Sequence, residues 1–275
     1  MIAPRTESGG DFPWWLVAAT AIGVAIAVVI ATSGLYSQIF AAVSKGIVTT
    51  IFVTLVAYSL ACAIGLSIAL MALSRSLVLR QIARFYVEII RGVPILVLLF
   101  YIAFVGAPAF VALWNFVTAP LQSAGILGEM QVRDFPLLWR AVMALTIGYS
   151  AFISEIFRAG IQSVDSGQIE AAKALGLNRM QRLRLVVLPQ AVRTMLPPLG
   201  NDFIAMVKDS SLVSVLGVAD LTQMGKVYAS GSFRFFETYS IVAYIYLLLT
   251  ISLSVALRQL EKRLRRAEER RSGKD

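Results

Sequence analysis

IEAAKALGLNRMQRLRLVVLPQ, residues 169–190, sits in the middle of a chain that is 58% hydrophobic, and its reading decides the fold. Long apolar runs lie before and after it, yet it is rich in alanine and arginine and closes on a proline. Ile169 to Leu175 is compatible with helix, and Gly176 offers a stop where φ can turn positive. Asn178 can cap a second helix running to Leu188, with Pro189 breaking or bending it. The stretch reads as helix, turn and helix, set between the apolar runs rather than inside one. Alanines at 171, 172 and 174 leave a low surface into which another protein's side chains fit, with Arg179, Arg182 and Arg184 around it. A generic interfacial loop helix has the same composition, so the residues by themselves leave both readings open.

Outward from this loop the chain is made for lipid. Continuous apolar runs of about 18 residues or more mark a polytopic, all-α membrane protein and exclude a soluble domain. A transmembrane barrel would show ~10-residue segments of alternating hydrophobicity instead. Six spans can be drawn, at about 14–31, 46–73, 82–105, 137–157, 194–217 and 238–257. With the C-terminus inside, segments 1–13, 74–81, 158–193 and 258–275 face the cytoplasm. That side then holds 18 of the 25 Lys and Arg: Arg5, Arg75, Arg80, Arg84, six in 158–193 and eight in the tail. The bias predicts an N-in, C-in orientation.

The first span reads as an uncleaved helix rather than a signal peptide, because it is long enough to cross and Trp14 and Trp15 suit an interfacial belt. Span two places Ala61, Gly65 and Ala69 four residues apart, which allows another helix to approach closely. Residues 106–136 are expected to lie as an amphipathic stretch at the outer interface, since about 30 residues cannot bury a core of their own. The tail from Arg258 to Asp275 reads as a continuation of the last helix, with Glu261 and Arg265 four apart. A contact of this tail with anionic lipid or a partner is the other reading.

Several function classes fall away. The single Cys62 lies in an apolar run and excludes an intrachain disulfide. The chain has no histidine, which removes imidazole from any metal site or general-base pair, and no metal is expected. The net charge of +9 reports membrane topology rather than nucleic-acid binding. Paired catalytic carboxylates and cofactor fingerprints are lacking, so no catalytic residue is assigned and the chain does not read as an enzyme.

Polar residues inside the spans point to a path. Pro197 and Pro198 disturb span five, and Lys208, Asp209 and Ser210 interrupt its apolar pattern; ten rises from Pro198 to Lys208 make ~15 Å, about half the hydrocarbon thickness. Charges at that depth face an interior or a cavity. Either Lys208 and Asp209 line the path and touch the charged groups of a small solute, or they hold a broken helix together. Glu155 in span four has the same two readings, one of them a pairing with Arg158 at the membrane edge. Arg91, about a third of the way across span three, calls for an interior partner.

The run Glu170-Ala171-Ala172, Gly176 after three residues, then nine residues to Val186, Leu188 and Pro189 resembles the EAA loop of the membrane-spanning subunits of ATP-binding-cassette importers. Val stands where that family usually has Ile. RGVPIL at 91–96, YSAFISEIFRAGIQSVDSGQIEAA at 149–172, LPQAVRTMLPPLGN at 188–201 and VKDSSL at 207–212 look like its polar amino acid uptake subfamily. The likeness covers roughly 46–257, a five-helix importer core, and leaves 1–45 as a tail with one extra helix and 258–275 as a basic tail.

The resemblance implies a permease subunit that moves a polar amino acid across the bacterial cytoplasmic membrane. Its loop at 158–193 would be the coupling helix that sits in a groove of the ATPase. Glu170 would make a polar contact there, Ala171 and Ala172 a close fit, Gly176 the sharp turn and Pro189 the end of the motif. Apart from the resemblance, the polar residues within the spans, Arg91, Glu155, Lys208, Asp209 and Ser210, are the candidates for a substrate path, with structural bonds as the other reading and the first one for Arg91. The implied partners are two cytoplasmic ATPase subunits, a second permease of the same or a similar sequence, an extracytoplasmic amino acid binding protein and membrane lipid.

No G-x-x-x-x-G-K-[ST] occurs: Lys226 follows Gly225, but position 220 is Asp, and Lys274 fails likewise. ATP and Mg would therefore be used by the partner, and this chain would bind no cofactor itself. The alternative is a channel or secondary transporter that works without ATP.

Overall fold

The computed structural model describes the backbone of residues 14–271 and the side chains of Trp14 and residues 17–263, and every element among them is helical. Arg5, the side chain of Trp15 and the side chain of Arg265, all used in the sequence reading, lie outside the described residues. Helix α1 (Trp14–Thr32) is parted from α2 (Gly34–Val43) by the extended backbone of Ser33. A 3-10 turn at 44–46 leads into α3 (Ile47–Ala72), followed by α4 (Leu77–Gly92). Helix α5 (Ile95–Tyr101), a π turn at 102–106 and α6 (Ala107–Ser123) form one rod, and α7 (Leu137–Gln162) follows. Then come α8 (Ser166–Ala174) and a second rod made of α9 (Arg179–Arg182), a π turn at 183–187 and α10 (Leu188–Asp209). A 3-10 segment at 210–216, α11 (Leu221–Ser232) and α12 (Phe235–Arg271) complete the chain.

Among the described residues, four helical stretches are long and apolar enough to cross a membrane: Gly34–Ala72, Ile95–Ser123, Leu137–Gln162 and Phe235–Arg263. Val17–Thr32 of α1 is a shorter apolar helix. Helix α10 has the length, at 22 residues, but carries Arg193, Asp202, Lys208 and Asp209. The burial pattern is that of a protein in lipid. Arg140 is buried, whereas Val48, Leu55, Phe104 and Phe116 are exposed on the outside of the bundle.

The core forms where α3 meets α7. Val53, Ala57 and Ala61 of α3 pack on Ala141, Leu145 and Ile153 of α7, and Leu99, Met206 and Val213 close the cluster from the neighbouring elements. Small residues make this approach possible, because lipid tails are as apolar as Leu and packing must supply the attraction. At Gly65 a Cβ would stand 2.9 Å from the Ile153 side chain and 3.0 Å from the Ser150 carbonyl. The stripe Ala61, Gly65, Ala69 is thus the seam expected from the sequence, and all three are buried.

Four expectations are corrected. The span drawn at 82–105 is not one helix: α4 stops at Gly92, and Val93 and Pro94 are extended, at φ −100°, ψ 132° and φ −57°, ψ 137°. The ring of Pro94 disfavours helical backbone at Val93, and the helix ends there. The membrane-length helix is Ile95–Ser123, and it takes in most of the segment expected to lie at the outer interface. Pro189, expected to break or bend the loop's second helix, stands in the first turn of α10 with a π turn before it. Its missing N–H leaves a carbonyl free, and the wider turn absorbs the mismatch. Pro197 and Pro198 likewise sit inside an uninterrupted α10.

Candidate functional site

The loop that opens the sequence reading is a preformed and well-capped unit. At the start of α8 the Asp165 carboxylate accepts N–H bonds from Gly167 at 2.7 Å and Gln168 at 3.3 Å. At its end Leu177 N–H reaches the Ala172 carbonyl at 3.1 Å and Gly176 N–H the Lys173 carbonyl at 2.9 Å, with Gly176 at φ +75°. This is the paired 6→1 and 5→2 closure that glycine permits. Two residues later Asn178 and Gln181 cap α9 reciprocally, each side chain accepting the other's backbone N–H at 2.9 Å.

This hairpin is fastened to the bundle. Ile169 and Val187 pack against Val164, Ala191 and Met195, and the Gln190 amide donates to the Gln168 side chain. Glu170 and Ala171 face outward, as do Gly176 and Pro189, and Leu175 is 80% exposed. Ala172 is 4% exposed and fills the inside of the hairpin, so it offers no surface to a neighbour. Because α9, the π turn and α10 are one rod, a push on the loop passes along the same helix that carries Asp202 and Asp209.

Two cavities lie against that machinery. The first, about 530 Å³, is lined by the broken joint Arg91–Ile95, by Tyr149 and Phe152 of α7, and by Asp202, Ala205 and Asp209 of α10. Irregular backbone at this depth is tolerated where it borders a cavity. Asp202 and Asp209 stand two turns apart on one face. Tyr149 O–H donates to Asp209 Oδ2 at 2.7 Å, and Asp202 Oδ2 is buried with no partner. Arg91 lies over the Phe152 ring, 5.5 Å from its centroid. Two carboxylates and one guanidinium around a volume of this size suit a small molecule bearing both an ammonium and a carboxylate.

The second cavity, about 410 Å³, lies between α3, α4 and α7 and is lined by Arg84, Glu88, Arg91, Glu155, Arg158 and Gln162 against small residues of α3 and α4. Glu155 is held there by Arg158, whose Nη2 approaches Oε2 to 2.6 Å and whose Nε approaches Oε1 to 3.1 Å. Arg158 Nη1 also bonds Gln162 at 2.8 Å.

The candidate path residues thus part company. Arg91 and Asp209 share the first cavity, and Glu155 takes the pairing with Arg158. Ser210 is fully buried, with its hydroxyl bonded to the Val207 carbonyl at 2.7 Å, and closes the end of α10. Lys208 is exposed, lines neither cavity, and its side chain makes no hydrogen bond or ion pair among the described residues. The sequence reading missed Tyr149, Phe152, Asp202, Arg84 and Glu88. The seven-residue interval from Asp202 to Asp209 was the legible signal for one of them. Arg140, which the sequence reading did not single out, bonds the carbonyls of Phe135 at 2.9 Å, Ala103 at 3.3 Å and Val132, and ties the start of α7 to the π turn of the preceding rod.

The chain has counterparts among known proteins. The sequence pattern described as "Binding-protein-dependent transport system inner membrane component" matches residues 61–266. The probable amino-acid permease protein YxeN of Bacillus subtilis (strain 168) is 37% identical over 206 residues, 75% of this chain and 84% of that protein. The glutamine transport system permease protein GlnP of Escherichia coli (strain K12) is 39% identical over 185 residues, 67% of this chain and 75% of GlnP. A crystal structure of an amino acid ABC transporter with histidines superposes with a TM-score of 0.67 at 38% identity, covering 83% of this chain and 95% of that one.

Proposed function

Since the chain belongs to the family of binding-protein-dependent transport system inner membrane components, we propose that it moves a polar amino acid inward, driven by ATP that a separate subunit hydrolyses. It is an amino acid ABC transporter permease of the inner membrane, a transport component and not an enzyme. The single observation carrying the energetic part of the proposal is the capped hairpin at 166–182 and its unbroken continuation into α10. Such a unit transmits force only if something grips its outer face, and Glu170, Ala171 and Leu175 supply that face. Two cytoplasmic ATPase subunits, one on each permease of a membrane pair, would grip it and use ATP and Mg. Their closure would press on the hairpin, shift α10 and move the first cavity from outward to inward access, a change in the populations of two states. The charge bias supports an orientation with the hairpin on the cytoplasmic side, N-in and C-in. Whether the partner permease is a second copy or a similar chain decides only the symmetry of this movement.

Asp202 and Asp209 would take the substrate's ammonium and Arg91 its carboxylate, which suits amino acids in general and leaves selection among side chains to an extracytoplasmic binding protein. Uptake of labelled amino acids into proteoliposomes holding the permease, its co-purified ATPase and its binding protein tests the proposal. Uptake that needs ATP inside is the expected result. Equal uptake with and without ATP would support a channel or secondary carrier instead.

A further inference from the structure

Arg91 is the one residue that lines both cavities described above. From this juxtaposition we infer that the cavity between α3, α4 and α7 is a second amino acid station, to which Arg91 hands the substrate's carboxylate on its way out of the permease. The inference rests on the permease reading given above.

The two helices that border this cavity carry matching ladders. On α4, Arg84, Glu88 and Arg91 repeat at four and three residues and so share one face. The lipid-facing stripe of the same helix is Val78, Ile82, Phe85 and Ile89, all exposed, and Ala83 and Val87 are buried against the bundle. On α7 the facing ladder is Phe152, Glu155, Arg158 and Gln162, ten residues or ~15 Å of helix from the first cavity to the hairpin end. Gln162 is the last residue of α7, so the ladder leads from the first cavity toward α8 and the side where the ATPase docks.

The groups along it differ in how firmly they are held. Glu155 is taken by Arg158 through two short bonds, and Arg158 is braced by Gln162. Arg84 and Glu88 are one helical turn apart, close enough to pair. Yet no ion pair or hydrogen bond joins them or occupies either one among the described residues. The second cavity therefore presents one uncommitted cation and one uncommitted anion a turn apart, the complement of a zwitterion. Arg91 also has no ion pair within 4 Å among the described residues and rests on the face of Phe152. A long side chain held by a ring face rather than by a carboxylate can swing from one cavity to the other without breaking a salt bridge. The α3 wall offers only the small side chains Ala69 and Ala72 beside Ile68, and about 410 Å³ falls within the range of small-molecule sites.

The test uses the full transporter, with its ATPase, in liposomes, and a chain in which Cys62 is replaced by Ala so that a single thiol can be placed. Ala72→Cys puts that thiol in the wall of the second cavity, and Ser67→Cys, on the exposed side of α3, is the control. Coupling a bulky maleimide to the Ala72→Cys chain is expected to lower uptake about tenfold relative to the same chain unlabelled, with ATP hydrolysis kept within about twofold. Labelling of the control thiol is expected to leave uptake unaltered, and saturating amino acid should slow the labelling of the cavity thiol. Unchanged uptake after the cavity thiol is labelled overturns the inference. So does parallel loss of uptake and ATP hydrolysis, which would make the cavity a moving joint, and so does protection of that thiol by anionic phospholipid but not by amino acid.

A second measurement does not depend on a thiol. Arg84→Gln with Glu88→Gln is expected to cut the maximal uptake rate about tenfold while the half-saturating concentration moves less than about twofold, because the first cavity keeps all its groups. Wild-type rates in that variant overturn the station. Absence of ATP-dependent uptake in the wild-type chain would instead count against the ATP-driven uptake reading itself, so the two failures are distinguishable.

Discussion

At the scale of the single residue, backbone angle and hydrogen-bond inventory decide what a substitution does. Gly176 stands at φ +75° with open space where a Cβ would go, so a side chain there meets strain in the backbone and nothing else. The left-handed conformation costs an L residue ~1–2 kcal/mol, and more for a β-branched one. Gly176→Val is therefore expected to loosen the hairpin while sparing the bundle: ATP-driven uptake falls several-fold, and ATP hydrolysis by the bound partner continues. Normal uptake with normal hydrolysis would show that the turn does not transmit force. Tyr149 is the other sensitive position, since its hydroxyl is the donor to Asp209 Oδ2. Tyr149→Phe removes a bond to a carboxylate, an effect of ~1–3 kcal/mol. Expected is a roughly tenfold rise in the half-saturating amino acid concentration, read from uptake curves. An unaltered curve would give the pair a structural role alone.

At the scale of the element, the same physical rules were legible to different degrees. Gly176, Asn178 and the alanines announced the hairpin, because caps and left-handed turns depend on local residue identity. The break at Val93–Pro94 had a local signal in its proline, but apolar residues are frequent on both sides, and the span was drawn through it. Helix α4 shows why: its lipid-facing stripe is as apolar as a crossing helix, and only the Arg84, Glu88, Arg91 stripe on another face betrays a helix that borders a polar cavity. Pro189, Pro197 and Pro198 misled in the opposite sense, since π turns and packed neighbours let a helix run past prolines. The small-residue seam on α3 was read correctly and yields an element-scale prediction. Gly65→Val would drive a side chain into Ile153 and the Ser150 carbonyl, in a core with no slack. Overpacking of this kind costs ~1–3 kcal/mol, and the purified variant is expected to melt several degrees lower in detergent. Melting at the parent temperature would mean that α3 and α7 separate more easily than the contact suggests.

At the scale of the whole molecule, the prediction concerns assembly. Glu170 is exposed on a hairpin that is otherwise anchored, so Glu170→Lys changes the outer face without touching the core. Loss of the ATPase from the purified complex, with the permease still folded, is the expected outcome of affinity purification, and retention of the ATPase would remove Glu170 from the interface. The sequence by itself determined that the chain is helical and membrane-bound, that a capped polar hairpin interrupts it, and that it carries no G-x-x-x-x-G-K-[ST] phosphate loop. Each of these follows from runs, caps and motifs, which are local along the chain. The tertiary structure alone decided which polar residues meet. Asp202 and Asp209 come from α10, Tyr149 and Phe152 from α7, and Arg91 from the end of α4, and they face one volume only after α3 and α7 have closed on each other. It also decided that Ala172 is turned inward and that Glu155 is spent on Arg158. Spacing along a helix fixes a residue's face, whereas the partner across that face is set by packing between segments remote in sequence.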